Sequence, residues 1–415
     1  LKGRMDFDKK KKIVPCVIGL GYVGLPVFVQ LKKKFNSIGF DNNIKRINQL
    51  KKLYDLNKEH TKKDLRIINK STYSNNKKIL SKSNFYIVTV PTPIDIKKIP
   101  DLTSLINVSK VIAKNLNIGD IIVFESTVYP GATKMIIETV LNKNSKFVEG
   151  KDYFVAYSPE RINPGDKKHN IYNVKKILAI NTKNLKIISK IKYVYKQITK
   201  KFVITSSIEY AEMAKVIENT QRDINIAFMN DIFLFSKKMN YDLKKILKLA
   251  STKWNFINLT PGLVGGHCLP VDPYYLNYIA KKNNVNLKTV QASRKVNESM
   301  EVMLTKVISD KIKKNKYKNK ILISGITYKK NIPDTRNSIP LNIYLNLKKK
   351  YKNLIALDNH CELKNKKELR IFNSFNNIKE KIDLVIFLVD HNENRNLYKK
   401  LDKAKIDIMD PLQLY

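Results

Sequence analysis

Cys268 stands in the run Gly265-Gly266-His267-Cys268-Leu269-Pro270-Val271-Asp272-Pro273. A cysteine set among glycines and prolines belongs to a loop, where its sulfur is open to reaction and can act as a soft nucleophile. Asp272 follows closely enough in sequence to assist a base or a water. Residue type and loop setting alone leave the role of Cys268 open. Lys215 and Asn219 are four apart, so on a helix they share one face. In a cleft Lys215 would hydrogen-bond an oxyanion or hold a water with Asp272; by spacing alone the pair reads first as a solvated helix face. Glu160 closes an apolar run in Ser158-Pro159-Glu160-Arg161, a position from which it could act as a general base. The other cysteines, Cys16 inside the first apolar strand and Cys361 after a later one, read as structural.

A second chemistry is written in Gly19, Gly21 and Gly24, with Tyr22 and Val23 between the last two. The first glycine permits a tight turn, the second lets backbone approach a pyrophosphate, and the third lets helix and strand pack closely. The helix N-terminus then faces the phosphates. Asp41 follows Gly19 by 22 residues and closes the next apolar run. An acid there can bind a ribose diol and would repel a 2′-phosphate, which predicts NAD rather than NADP. Arg46 lies about one helical turn further on, facing either the cofactor or solvent. No CxxC pair exists and the five histidines do not cluster at metal-ligand spacing, so no metal is expected.

These residues need elements to hold them. The run Ile13 to Ile18, the glycine turn, the helix-like LPVFVQLKKK and the strand Ser37 to Phe40 read as the start of a doubly wound sheet. FYIVTV (85–90), Ile121 to Phe124 and Tyr153 to Tyr157 read as further buried strands. Each ends in a polar or proline-containing turn, the edge at which open α/β sheets bind ligands. From Ile208 to Ala250 the period changes: Tyr210, Met213, Ala214, Ile217, Ile224, Ala227, Phe228, Ile232 and Phe235 recur at threes and fours, which predicts one long amphipathic helix. Lys288 to Lys313 reads as another helix. Strand-like runs return in ILISGI, LIALD, DLVIFLV and IDIMD. The expected fold class is α/β: two Rossmann-like doubly wound domains joined by a long central helical region. The expected boundaries are a disordered leader over 1–12 with a start at Met5, a dinucleotide domain over 13–200, a helical domain over 201–310 and a last domain over 311–415.

The 79 basic residues against 36 acidic give a net charge of +43, which raises nucleic-acid binding as a possibility. The excess is mostly lysine, scattered along the chain and accompanied by abundant Asn and Ile, so a coding bias that fills solvent-facing positions accounts for it better. Neither nucleic acid nor membrane insertion is expected. The long uncharged run Asn255 to Val271 is broken by Pro and Gly, and the first twelve residues lack the apolar core of a signal peptide. Three unpaired-looking cysteines fit a reducing, cytoplasmic setting.

Taken together, VIGLGYVGLP (17–26), VPTP (90–93), ESTVYPG (125–131), SPERINPGD (158–166), AEMAKVIENTQRDINIAFMND (211–231), GGHCLPVDPYY (265–275) and GITYKKNIPDTRNS (325–338) resemble the UDP-glucose/GDP-mannose dehydrogenase superfamily across about 400 residues. The resemblance implies a four-electron oxidation with NAD, in which a sugar C6 hydroxyl becomes an aldehyde, adds to Cys268, is oxidised to a thioester and is hydrolysed to the uronate. It implies that Lys215 stabilises oxyanions, Asp272 helps activate water and Glu160 assists hydrolysis. It places Thr92, Glu125 and Thr127 at the NAD site and Arg336 near the junction of cofactor and substrate. Asn219 and Lys329 would hold the nucleotide sugar, with Arg161, Arg222 and His267 also on the substrate side, and the long helix would be the core of a homodimer. UDP-glucose enzymes look like GGSCFPKD around the nucleophile; His267 and Val271 in place of Ser and Lys resemble the branch acting on UDP-N-acetylhexosamines for surface polysaccharides. UDP-GlcNAc or UDP-GalNAc is therefore the expected substrate, with UDP-glucose as the alternative. A catalytically silent scaffold would have lost Cys268, Lys215 or Asp272; all are present.

Overall fold

The first apolar runs pair side by side, as their lack of alternation predicts for strands buried on both faces. The computed structural model describes residues 12–69, 72–163, 165–166, 168–404 and 406–413. The expected leader and the start at Met5 lie, apart from Lys12, outside these residues. The chain forms two compact units, one ending at Val216 and one beginning at Ile217.

In the first unit the strands are β1 (Pro15–Ile18), β2 (Ile38–Phe40), β3 (Thr72–Ser74), β4 (Phe85–Val88), β5 (Ile121–Phe124), β6 (Phe154–Tyr157), β7 (Lys175–Ile180) and β8 (Lys201–Thr205). They make one sheet in the order β3-β2-β1-β4-β5-β6-β7-β8. All neighbours are parallel except β6 and β7. The chain leaves β1 toward β2 and β3, then returns to the other side of β1 as β4, so a crevice opens at the carboxyl ends of β1 and β4. One face of the sheet is closed by the Gly24–Lys32 and Leu185–Ile198 helices, whose Val27, Phe28, Leu31, Ile191 and Val194 join Val17, Ile87 and Val123 in one apolar cluster.

In the second unit β9 (Lys320–Ser324), β10 (Leu354–Leu357), β11 (Ile371–Phe372), β12 (Ile382–Phe387) and β13 (Asp407–Met409) form a parallel sheet in the order β11-β10-β9-β12-β13, with the same reversal at β9 and β12. The Lys288–Asn315 helix supplies Met300, Leu304, Ile308 and Ile312 to the cluster that includes Ile321 and Ile323 of β9. Two doubly wound sheets and a long helix are thus present. Among the described residues, no helix is long and apolar enough to cross a membrane.

The structure corrects one element and adds others. The helix expected to continue from Ile208 to Ala250 stops at Lys238 and resumes at Leu243. Asn240 between them takes the left-handed conformation at φ 56°, and the Asp242 carboxylate accepts a hydrogen bond from the Lys245 N–H to start the second helix. The apolar repeat did not register this because it carries across the break. Nor does the repeat mark the inner face alone: Ala227 is buried, while Tyr210, Met213, Ile217, Phe228 and Phe235 are exposed in the single chain. Strands β3, β7, β8 and β11 were not anticipated; β7 reads KKILAI and β8 reads KFVIT, both carrying lysines that mask them.

Candidate active site

Strand β1 delivers the glycine turn. Gly19 adopts φ +94°, where a Cβ would lie 2.9 Å from the Thr89 carbonyl oxygen, and a Cβ on Gly24 would collide with the Gly19 carbonyl and the Thr89 hydroxyl. Thr89 Oγ1 in turn donates to the Gly19 carbonyl at 2.7 Å. A Cβ on Gly21 meets nothing within 4 Å, so the backbone there is open to a close-lying pyrophosphate at the start of the Gly24–Lys32 helix. Tyr22 and Val23 are half-buried beside it. Asp41, just past β2, accepts the Leu20 N–H at 2.8 Å through Oδ2 and the Asn43 N–H at 2.8 Å through Oδ1. The residues present therefore fit a dinucleotide.

Arg46 is not a solvated surface residue. It is buried; its Nε donates to the Leu20 carbonyl at 2.7 Å and its guanidinium meets Asp55 at 2.8 Å, so it braces the glycine turn from behind. Asp55, unremarked in the sequence, is what draws it inward. At the neighbouring strand ends, Thr92 Oγ1 donates to the Thr127 carbonyl at 2.6 Å. Glu125, one residue beyond β5, is fully buried, with Lys176 Nζ 2.9 Å from one carboxylate oxygen and the Tyr195 hydroxyl donating to the other at 2.6 Å. Burial pushes its carboxyl above the ordinary range, against the pull of Lys176. Glu160, beyond β6, is also buried, and its Oε1 accepts the N–H groups of Arg161 and Ile162. Arg161 is half-buried and donates from Nη1 to the Lys175 carbonyl at 2.8 Å. Lys215 is buried on the Ile208–Lys238 helix.

In the second unit the cysteine loop is held at both ends. The Gly266 N–H donates to the Asn337 carbonyl at 3.3 Å, and the Asn337 side chain donates back to the Gly266 carbonyl at 3.1 Å. The Cys268 carbonyl accepts the N–H groups of Val271 at 3.0 Å and Asp272 at 2.9 Å, which leads directly into the Asp272–Lys282 helix. Cys268 is exposed, whereas Cys16 and Cys361 are buried, with burial pushing the Cys16 thiol up to about 12 and the Cys361 thiol up to about 11. Asp272 sits at the helix N-terminus, where the helix dipole favours a carboxylate, and its Oδ2 accepts from Asn219 Nδ2 at 2.5 Å. Arg222 is exposed on the same helix as Asn219.

His267 Nε2 lies 2.9 Å from Asp334 Oδ2, and Arg336 Nη2 lies 2.8 Å from the same oxygen. Burial opposes ionisation of Asp334, but the hydrogen bonds from His267 and Arg336 hold its carboxyl well below the usual range. Asp334 was present in the quoted DTR run but gave no sign of this partner. Lys329 is half-buried in the loop after β9. That loop is pinned by Asp358, whose Oδ2 accepts the N–H groups of Ile326 at 2.7 Å and Thr327 at 2.9 Å and lies 3.1 Å from His391 Nε2. Burial works against the Asp358 charge, yet these donors depress its carboxyl to about 2. A depressed carboxyl contributes stability above its unfolded value and loses it as pH falls toward the folded value. Asp358→Asn is therefore expected to lower the melting temperature by several degrees at pH 7 and to differ progressively less from the wild type as acid melts are taken down toward about pH 2.

Residues 12–199 match the UDP-glucose/GDP-mannose dehydrogenase family NAD binding domain, 209–299 its central domain and 322–412 its UDP binding domain. The chain is 41% identical over 399 residues to Protein CapL of Staphylococcus aureus, covering 94% of this chain and 93% of that protein. It is 44% identical over 327 residues to the UDP-N-acetyl-D-glucosamine 6-dehydrogenase of Salmonella typhi, covering 78% and 76%. A solved UDP-D-ManNAc dehydrogenase from Pyrococcus horikoshii superposes with a TM-score of 0.83 at 25% identity, covering 97% of this chain and 96% of that one. With all three domain descriptions met in order, this chain belongs to the UDP-glucose/GDP-mannose dehydrogenase family.

Proposed function

We propose that the protein oxidises the C6 hydroxyl of a UDP-N-acetylhexosamine, UDP-GlcNAc or UDP-GalNAc, to the uronate through a thioester on Cys268, as a step toward surface polysaccharide. The observation that carries this reading is the Cys268 loop: the exposed sulfur precedes a helix whose first residue, Asp272, is already oriented by Asn219. NAD, when bound, supplies the acceptor for each hydride. The glycine turn receives its pyrophosphate, Asp41 its adenosine ribose, which favours NAD over NADP, and Thr92 and Thr127 shape the neighbouring strand ends. Glu125 acts behind them, fully buried beside Lys176 and Tyr195.

Cys268 adds to the C6 aldehyde, and Lys215 stabilises the oxyanion that develops, a role that suits a buried ammonium in a low-dielectric setting. After the second hydride leaves, water attacks the thioester, with Asp272 and Asn219 orienting it and Glu160 taking its proton. Lys329, Arg161 and Arg222 supply positive charge and donors for the nucleotide sugar. His267, held by Asp334, and Arg336 line the substrate side near the cysteine loop. The name of the Salmonella typhi relative supports the N-acetylglucosamine form, and the Pyrococcus horikoshii structure supports the same class with a mannosamine epimer. The exposed apolar residues Tyr210, Ile217, Phe228 and Phe235 on the long helix favour a homodimer.

NADH formation at 340 nm with UDP-GlcNAc, UDP-GalNAc, UDP-ManNAc and UDP-glucose in parallel tests the reading. Two NADH per UDP-GlcNAc or UDP-GalNAc, with turnover of UDP-glucose lower by roughly tenfold or more, is the expected result. Preference for UDP-glucose would overturn the reading of His267 and Val271 while leaving the thioester chemistry standing.

A further inference from the structure

Strand β7 sends Leu178 and Ile180 into the apolar cluster that holds Ile187, Ile191 and Tyr195 of the Leu185–Ile198 helix. Side chains alternate along a strand, so Lys176 shares their face, and its side chain is 0% exposed. An ammonium in such a position is disfavoured unless its partners hold it there, and an apolar residue would serve stability as well or better. Its partners are two carboxylates on adjacent strand ends. Lys176 Nζ is 2.9 Å from Glu125 Oε2 and 3.9 Å from Glu160 Oε2. The Tyr195 hydroxyl saturates the other Glu125 oxygen. Glu160 Oε1 takes two backbone N–H groups, but its buried Oε2 receives no hydrogen bond among the described residues and faces the ammonium across that longer gap.

Two buried carboxylates thus compete for one cation. Burial and the charge of Glu160 push the Glu125 carboxyl up, while the two carboxylates outweigh burial and hold Lys176 ionised. Tyr195, from the helix, and Arg161, next in the chain, also act electrostatically on this cluster. Glu125 and Glu160 follow the paired strands β5 and β6 at their carboxyl ends, the ligand-binding edge of the sheet.

We propose that Lys176 is a positioning residue for thioester hydrolysis: it keeps Glu160 ionised as the base, and Glu125, by drawing on the same cation, sets the pH below which that base is lost. This rests on the reading of Glu160 and Cys268 given above. In the step concerned, water oxygen bonds to the thioester carbonyl carbon and its proton passes to Glu160. The C–S bond breaks with its electron pair on Cys268 Sγ, which takes the proton from Glu160, and the acid product ionises to carboxylate and a solvent proton.

The test is rapid-quench kinetics at saturating NAD and UDP-GlcNAc from pH 5 to 9, with acyl-Cys268 followed by intact mass, for the wild type, Lys176→Met, Glu125→Gln and Glu160→Gln. In Lys176→Met the acid limb of deacylation should move up by about one pH unit or more, with deacylation at pH 7 roughly tenfold slower, acyl-enzyme accumulating, and acylation little changed. In Glu125→Gln the amide keeps a partner for Tyr195 but releases the cation to Glu160, so the limb should move down. Opposite shifts are not what loss of packing would produce. A limb unmoved in both variants, or moved the same way in both, with the limb absent from Glu160→Gln, overturns the role of Lys176 alone. An unaltered limb in Glu160→Gln, or no acyl-Cys268 in any variant, overturns the reading of the site itself and the role of Lys176 with it. Should Lys176→Met fail to fold, Glu125→Gln decides by itself: a downward shift supports the proposal and any other outcome overturns it.

Discussion

Cys268→Ser is expected to lower steady-state NADH production on the order of 10³-fold while leaving the melting temperature within about 2 °C of the wild type. The two halves of this expectation have separate causes. The loop is shaped by the Gly266–Asn337 pair at its start and the Cys268 carbonyl shared by Val271 and Asp272 at its end, and Cys268 is exposed. Exchanging sulfur for oxygen therefore keeps the hydrogen bonds that shape the loop. The proposed chemistry uses the sulfur fully: a serine hydroxyl is not ionised at neutral pH and, once acylated, leaves as a poorer leaving group than a thiolate. Stopped-flow NADH traces with intact mass of the quenched enzyme would measure the first half, and thermal melts the second. Turnover within tenfold of the wild type would sink the thioester mechanism and leave a dehydrogenase that stops at the aldehyde or hydrolyses by another route.

Gly21→Ala and Gly24→Ala should separate cofactor binding from folding. A methyl on Gly21 enters open space, so the apoprotein should melt as the wild type does, while the added carbon stands where a pyrophosphate must approach; NAD affinity is expected to fall by about tenfold or more. A methyl on Gly24 collides with the Gly19 carbonyl and the Thr89 hydroxyl, and neither can retreat, because Gly19 donates to the Phe40 carbonyl at 2.8 Å and Thr89 is tied to β1. Overpacking of this kind costs about 1–3 kcal/mol or more, so the expected result is a melting temperature lower by several degrees as well as lost binding. Calorimetric titration of NAD beside thermal melts reads both. Normal NAD affinity in Gly21→Ala would remove the glycine turn from the cofactor site.

Much of the architecture was legible because parallel strands buried on both faces appear as short, nearly continuous apolar runs, and FYIV, IIVF and LIAL announce themselves. Strand β7 hid because two lysines open it, and nothing local shows that Lys175 faces out while Lys176 faces in. The break at Asn240 hid because a period of threes and fours survives a short turn. Among site residues, Gly19, Gly21, Gly24, Asp41, Cys268 and Asp272 carried their own signal in residue type and spacing. Asp55, Lys176, Tyr195, Asp334 and His391 did not, since each acts on a partner outside its own element.

By itself, then, the sequence determined the family, the two doubly wound sheets, the glycine turn and the cysteine loop, because these depend on local backbone geometry and on residues adjacent in the chain. Only the tertiary structure decided which way Arg46 turns, what occupies both oxygens of Glu125, what holds His267, and that one buried ammonium stands between two carboxylates. Burial and long-range pairing set the charge and orientation of those groups, and neither is encoded within any single segment.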